Sequence, residues 1–333
     1  MRAVVLVGGE GTRLRPLTWT TPKQMLPVAE VPMIERVLGH LADYGVDKAV
    51  LSLGYRPDAF FKAFPSGRCA GVKLTYAVEP EPLDTAGAIR FAAHHAGIAE
   101  RFLAVNGDVL TDLDVGALVA FHEDRGAEAT IHLTRVDDPS RFGVVPTDDD
   151  GRVSMFVEKP APGEAPTHNI NAGTYVLETS VLDHIPAGRR VSIERETFPA
   201  LVEARTLYAR SDDAYWIDTG TPAQYLQAQL DLISGRRPGP PAPGAVERER
   251  DVWTLGAAVI DGSVHPPALI GDASFVEVRA HVEGAIVGAG ARVHDGARVW
   301  CSVLLPGSVV AGRAAVAADA ELEGVKVEAG APR

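Results

Sequence analysis

The stretch that most constrains this chain is its start. An apolar strand, Ala3-Val4-Val5-Leu6-Val7, runs straight into Gly8-Gly9-Glu10-Gly11-Thr12-Arg13-Leu14-Arg15-Pro16-Leu17-Thr18. A short apolar run bounded by glycines is sized for the interior of a sheet. Glycines at its end expose a row of backbone N–H groups with no side chains in the way, which makes a nest for an anion, usually phosphate. Arg13, Arg15 and Lys23 add fixed positive charge close by. Two familiar phosphate loops do not fit. A P-loop needs lysine after its last glycine, and Thr12 follows Gly11. A dinucleotide fingerprint needs a third glycine where Leu14 stands.

Behind the loop, Pro32 is placed for a helix start, Met33, Val37, Leu38, Leu41 and Tyr44 repeat at helical spacing, and Gly45 stops the run. Residues 48–53, 72–78 and 102–106 read as strands, and 57–64 and 85–96 as helices. Alternation of this kind predicts a mostly parallel, Rossmann-like α/β sheet covered on both faces. Ligands of such sheets sit beyond the C-terminal ends of the strands, where the glycine loop, Glu79 and Asp108 all fall. From Glu128 the pattern changes to strands with short connections, at 130–135, 142–146, 153–157 and 171–177. Asp148-Asp149-Asp150-Gly151 supplies a hairpin turn. Residues 221–233 read as a helix with Pro222 in its first turn.

Residues 235–243 hold four prolines and two glycines and read as a linker. The expected division is a first domain over 1–235, a linker over 236–251 and a second domain over 252–333. In the second, Ile270, Val276 and Val282 are six apart, as are Val287, Val293 and Val299, and Val310, Val316 and Leu322. A six-residue apolar period with small residues between predicts a β-solenoid. The period slips between Val282 and Val287 and again after Val299, which predicts irregular turns.

The 333 residues carry a net charge of −12, so a nucleic-acid-wrapping surface is not expected, and an anionic ligand needs a local basic pocket. Cys69 and Cys301 are the only cysteines, far apart, which fits a reducing cytoplasm rather than a disulfide framework or zinc site. The first apolar run is too short for a signal peptide or membrane span. A homo-oligomer without nucleic-acid polymer or membrane partners is expected.

The full string G-G-x-G-T-R-L-R-P-L-T, followed by Pro22-Lys23, resembles the signature of the sugar-1-phosphate nucleotidylyltransferases, and the resemblance extends over roughly residues 1–235. These enzymes join a nucleoside triphosphate to a sugar 1-phosphate and release pyrophosphate. The resemblance implies that Val7, Gly8, Gly9, Gly11, Thr12, Arg13, Glu79, Leu83, Thr85, Asn106 and Gly107 face the nucleotide. It implies that Gly143, Glu158, Lys159 and Asn171 face the sugar phosphate, with Lys159 in Phe156-Val157-Glu158-Lys159-Pro160. Arg13, Lys23 and Lys159 are the implied catalytic cations. Asp108 and Asp218 match the family's two magnesium aspartates, although an aspartate just past a strand is more often a turn residue. The tail resembles the left-handed parallel β-helix that follows the catalytic domain in several members.

Glu79 stands where thymidylyl- and uridylyl-transferring relatives tend to carry glutamine. A carboxylate accepts from the N1–H and N2–H₂ edge of guanine, which favours GTP. The L-x-T-A-G pattern from Leu83 to Gly87 also resembles the mannose-1-phosphate guanylyltransferases, with Asp84 departing from their usual glycine. Glucose-1-phosphate thymidylyl- or uridylyl-transfer is the alternative. A non-catalytic sensor of nucleotide sugars is another, and the presence of Arg13, Lys23, Asp108, Lys159 and Asp218 weighs against it. His281 and His294 raise an acyltransferase solenoid, but no second motif supports it, and they read as solvent-facing turn residues.

Overall fold

The structure, a computed structural model, describes residues 1–237 and 239–317 and the backbone of the strand Val327–Glu328. Contacts group the chain into two compact units: residues 1–9 with 34–216, and residues 10–33 with 217–333. The glycine loop is therefore divided, with Val7, Gly8 and Gly9 in the first unit and Glu10 onward in the second.

In the first unit the strand Arg2–Leu6 pairs in parallel on both sides, with Lys48–Leu53 and with Phe102–Asn106. Lys48–Leu53 pairs in parallel with Val72–Val78. On the other side the nine-residue strand Asn169–Leu177 pairs antiparallel with Phe102–Asn106 and with Ala129–Arg135, which in turn pairs in parallel with Leu207–Ser211. The sheet is thus mostly parallel, as expected. Val4, Val50, Ala104, Ile131 and Tyr175 belong to one core with Ile89, Phe198 and Leu201 from the covering helices. A parallel strand buried on both faces needs this near-continuous apolar run.

Several expected elements move. The helix at 33 starts at Met33, and Pro32 belongs to a tight hairpin, Pro27–Val28 against Val31–Pro32. The strand expected over 153–157 contracts to Val157–Glu158, with Val153 making only an isolated bridge to Thr147. That bridge closes the hairpin at Asp148, whose Oδ1 accepts from the N–H of Asp150 and of Arg152. The helix Val115–Arg125 was not expected, although Asp114 caps its start through a bond from Ala117 N (2.8 Å) and Gly126 closes it at φ 56°.

In the second unit, helix Pro222–Ile233 is capped by Thr221, as its Pro222 predicts. The tail from Val252 is a stack of parallel strands in two sheets. The first coils take 16 residues, from Val259 to Phe275, or 18, from Ser263 to His281, but from His281 to Arg298 and from Arg298 to Ala315 one coil takes 17 residues. The buried apolar positions explain this number. Val276, Val282, Val287, Val293, Val299, Leu304, Val310 and Val316 are separated by steps of six, five, six, six, five, six and six. The slips read as irregular turns are therefore a regular feature: the five-residue step recurs once per coil, and Leu304 fills the position it creates. A small residue two places before each of these except Val316 is buried as well: Ser274, Ala280, Ala285, Ala291, Ala297, Ser302 and Ser308. Leu322 lies outside the described residues. The arrangement is compatible with a β-helix.

Each corner of the stack has a residue at positive φ three places before the apolar residue: Ala273, Arg279, Gly284, Gly290, Gly296, Cys301, Gly307 and Arg313. The left-handed region costs a residue with a Cβ about 1–2 kcal/mol. Ala273 is exposed, at φ 51°. Ala273→Gly removes that steric penalty against a smaller entropic loss, so the protein is expected to gain about 0.5–1 kcal/mol, read as a higher Tm in thermal denaturation. A lower Tm would mean that the corner is not left-handed.

Candidate active site

In the first unit the site residues lie at one edge of the sheet, beyond the C-terminal ends of its parallel strands. Val7 N–H donates to Ser52 O (3.1 Å) and Glu79 N–H to Leu53 O (2.8 Å), so the strand ends remain tied together. Gly8 lies against Glu79, with room for a Cβ only 3.3 Å from its Oε1, whereas Gly9 faces open space. A Cβ on Gly107 would lie 2.6 Å from Val7 Cγ1 and 2.9 Å from Leu6 O. Glycine is required there because the turn that carries Asp108 presses on the central strand.

The Glu79 carboxylate is engaged from within the chain. Its Oε1 accepts from Ser52 Oγ (3.0 Å) and its Oε2 from Leu83 N–H (3.1 Å). A carboxylate has about four acceptor positions, so these bonds orient it without exhausting it. Thr85 is similarly committed: its hydroxyl donates to Glu194 Oε2 and accepts from Ile193 N–H, both at 2.8 Å. Asp84, the departure from glycine, sits at φ 61°, where glycine would be at ease. Its Oδ1 accepts from Thr85 N–H (2.8 Å), the local bond that lets aspartate tolerate this conformation.

Gly143 and Glu158 are paired neighbours on adjacent antiparallel strands, and Val144 pairs with Ile170, one residue from Asn171. A Cβ on Gly143 would strike the Phe156 ring at 2.5 Å. Lys159, at φ 50° and 60% exposed in its side chain, has its Nζ 3.3 Å from Glu158 Oε1. Asn171 is held from both ends: Nδ2 donates to the Tyr175 hydroxyl (2.9 Å) and Oδ1 accepts from Gly173 N–H (3.0 Å). Burial pushes the Tyr175 phenol far up, and the carboxylates of Glu194, Glu158 and Asp108 push it further, against the Asn171 bond. That phenol stays neutral, and it places three carboxylates around one buried ring. Trp216 donates from its indole to Ala172 O (2.9 Å) and meets Phe142 edge to face. Tyr175 and Glu194 were not found from the sequence, because neither stands in a recognisable motif.

In the second unit the rest of the glycine loop forms three short 3₁₀ turns, Thr12–Leu14, Leu17–Trp19 and Lys23–Met25. Gly11 has φ 62°, and a Cβ there would lie 2.9 Å from Thr18 Cγ2. Thr18 Oγ1 donates to Gly11 O (2.8 Å), closing the loop on itself. Arg15 pairs with Glu10 at the surface (3.0 Å). Lys23 is 5% exposed, and its Nζ lies 3.4 Å from Asp218 Oδ1. A Cβ on Gly220 would meet both Arg13 Nη2 (2.8 Å) and Asp218 Oδ1 (3.0 Å). Arg13, Lys23, Asp218 and Gly220 thus converge, two cations around one carboxylate. Among the described residues no group of three or more His, Cys, Asp or Glu side chains is arranged to hold a metal. No helix among them is long and apolar enough to cross a membrane.

A profile of the nucleotidyl transferase family matches residues 2–235. Over 98% of this chain and 81% of the other, the sequence is 40% identical to a mannose-1-phosphate guanylyltransferase of Mycobacterium tuberculosis. It is 36% identical, over 98% of this chain and 90% of the other, to a probable mannose-1-phosphate guanylyltransferase 1 of Oryza sativa subsp. japonica. Among solved structures, HddC from Yersinia pseudotuberculosis complexed with GMP-PN superposes with a TM-score of 0.59 at 32% identity, over 68% of this chain and 97% of the other.

Asp84 and Gly107 make opposite predictions. Asp84→Gly should leave Tm unchanged or raised by up to about 1 kcal/mol in stability, since glycine takes φ > 0 freely. Gly107→Ala should lower stability by about 1–3 kcal/mol through overpacking against Val7 and Leu6. Thermal or urea unfolding of the two variants reads both; a tolerated Gly107→Ala would refute the close approach.

Proposed function

The chain belongs to the nucleotidyl transferase family, and we propose that this sugar-1-phosphate nucleotidyltransferase joins GTP to mannose 1-phosphate, giving GDP-mannose and pyrophosphate. The observation that carries the choice of substrates is the identity of 40% across 98% of the chain with a relative that bears that activity in its name. The GMP-PN bound by HddC supports a guanine nucleotide. Glu79, oriented by Ser52 and Leu83, is the proposed acceptor for the guanine N–H edge.

The reaction is attack by a sugar-phosphate oxygen on the α-phosphorus of the triphosphate. Both reactants are anions, so catalysis is positioning and charge neutralisation, and an ionised phosphate oxygen needs no general base. Val7, Gly8, Gly9, Gly11 and Thr12 offer backbone N–H groups to the triphosphate, and Leu83, Thr85, Asn106 and Gly107 are further proposed nucleotide contacts. Arg13 and Lys23 neutralise the departing pyrophosphate. Lys159, exposed beside Glu158, holds the attacking phosphate, while Gly143, Glu158 and Asn171 receive the sugar hydroxyls. The amide of Asn171, fixed by Tyr175 and Gly173, keeps one orientation toward a hydroxyl.

Magnesium is the proposed metal. It favours one or two carboxylates plus substrate phosphates over an all-protein cage, and single aspartates such as Asp108 and Asp218 fit that preference. When bound it supplies charge neutralisation to the phosphates. Asp218 has Lys23 and Arg13 around it, so its carboxylate is already poised among cations. The stacked strands of the tail are proposed to form a left-handed β-helix, the enzyme to act in the cytoplasm, and the assembly to be a homo-oligomer.

Pyrophosphate release measured with GTP, ATP, UTP and dTTP, each against mannose 1-phosphate and glucose 1-phosphate, tests the assignment. The expected maximum is GTP with mannose 1-phosphate; a maximum with dTTP or UTP and glucose 1-phosphate would replace it. Lys23→Ala and Asp108→Ala should each lower kcat by roughly two or more orders of magnitude, by analogy with loss of an electrostatic donor. Near-normal turnover of Asp108→Ala with magnesium would remove Asp108 from its role.

A further inference from the structure

Helix Asp84–His95 and residues 186–189 wall a cavity of about 330 Å³. Of the residues assigned to the nucleotide above, it touches only Leu83. Its wall comes instead from the later turns of the helix, through Arg90, Phe91 and His94, with Arg189 and Glu81 facing from the loops. The volume lies at the lower end of the range for small-molecule sites.

The chemistry of the wall is specific. Arg90 Nε is buried and has no hydrogen-bond partner. Arg90 also lines the cavity, so its cation is offered to an anion there through the rest of the guanidinium. Arg189 is held in place, with Nη2 donating to Glu196 Oε2 (2.7 Å) and Nη1 to Arg190 O (3.0 Å). The Arg189 guanidinium in turn holds the Glu196 carboxyl below its ordinary range. His94 adds a further nitrogen. Phe91 and Leu83 provide an apolar surface for a flat body, and Glu81 is an acceptor for an N–H donor. Phosphate, ring and N–H edge together describe a nucleotide.

We propose that this cavity is a second nucleotide site, taking a nucleoside mono- or diphosphate, separate from the catalytic one. Its phosphate meets Arg90 and Arg189, and its base lies against Phe91 with its N–H edge toward Glu81. The site is placed to act on catalysis. Leu83 O accepts from Val191 N–H (2.9 Å), and Ala86 N–H donates to Val191 O (2.9 Å), so the wall at 186–189 continues directly into the bonds that fix the start of the helix. That start carries Leu83 and Thr85. A ligand that joins the helix to residues 186–189 stiffens the base-reading loop.

The proposal does not rest on which triphosphate or sugar the enzyme uses, because its test reads binding without turnover. Titration calorimetry with GDP and with GMP should resolve two classes of site per chain in the unaltered protein. Arg90→Gln should weaken one class by about tenfold or more, as expected for loss of a charged hydrogen bond. Ala187→Phe, which fills the cavity from an exposed loop, should remove the same class, and both variants should keep kcat in assays without added GDP or GMP. Inorganic phosphate and glucose 6-phosphate serve as competitors and should displace GDP from this class poorly. A single class in the unaltered protein that neither substitution weakens overturns the proposal. So does a second class that survives both substitutions. Displacement by inorganic phosphate as effective as that by GMP would reduce the cavity to an anion site and overturn the nucleotide assignment.

Discussion

The first unit depends on the parallel pairing of one strand, Arg2–Leu6, with a neighbour on either side. Parallel neighbours bring their C-terminal ends to one edge, so the loops after Leu6, Leu53, Val78 and Asn106 emerge together. The antiparallel strand Asn169–Leu177 enters from that same edge, because Thr174 pairs with Val105. Its first residues therefore carry Asn171 to the place where the parallel strands deliver Asp108. Sheet topology, rather than any local motif, is what gathers carboxylates, an amide and a phenol. The apolar residues that hold the topology together are fully buried and do no chemistry of their own.

In the second unit the glycine loop is backed by supports far along the chain. The hairpin tip at Ala29 and Glu30 has both residues at positive φ, as a tight two-residue turn requires. Ala29 N–H donates to Gln229 Oε1 (3.1 Å), Tyr225 donates to Pro27 O, and Glu30 Oε2 accepts from Ala289 N–H (2.8 Å). Helix Pro222–Ile233 is tied in turn to the stack by Trp253, whose indole donates to Ile233 O (2.8 Å). Burial pushes the Glu30 carboxyl up, and the bond from Ala289 opposes this. The stacked coils thus act on the loop that holds Arg13 and Lys23 as a rigid backing.

Much of this was legible in the sequence, and the failures have physical causes. The strand Phe102–Asn106 is bounded by residues that favour its ends, and its limits were read correctly. The helix Val115–Arg125 was passed over because it buries only Val115, Leu118 and His122, a thin stripe, although Asp114 and Gly126 flanked it as signals. The strand Leu207–Ser211 is short and buries only its first residues. The tail was recognised from its sixfold spacing, but the fixed position of the five-residue step becomes visible only when Arg298 is seen to pair with His281 and Ala315. Glu79 was read as a ligand contact, and its bonds to Ser52 and Leu83 could not be foreseen, since Ser52 lies on another strand. Glu194 has no neighbouring motif; only Thr85, more than a hundred residues earlier in the chain, reveals it.

The repeating six, six and five of the coils has a consequence for how such a tail can change in length. Removing one six-residue side would keep the valines inward but carry every later side to the next face, so the five-residue step would no longer stack on its counterpart. Removing 17 residues leaves each remaining side chain where it was. The tail is therefore quantised: it can grow or shrink only by whole coils, and a backing for the glycine loop can be made taller without disturbing the coil that Glu30 grips.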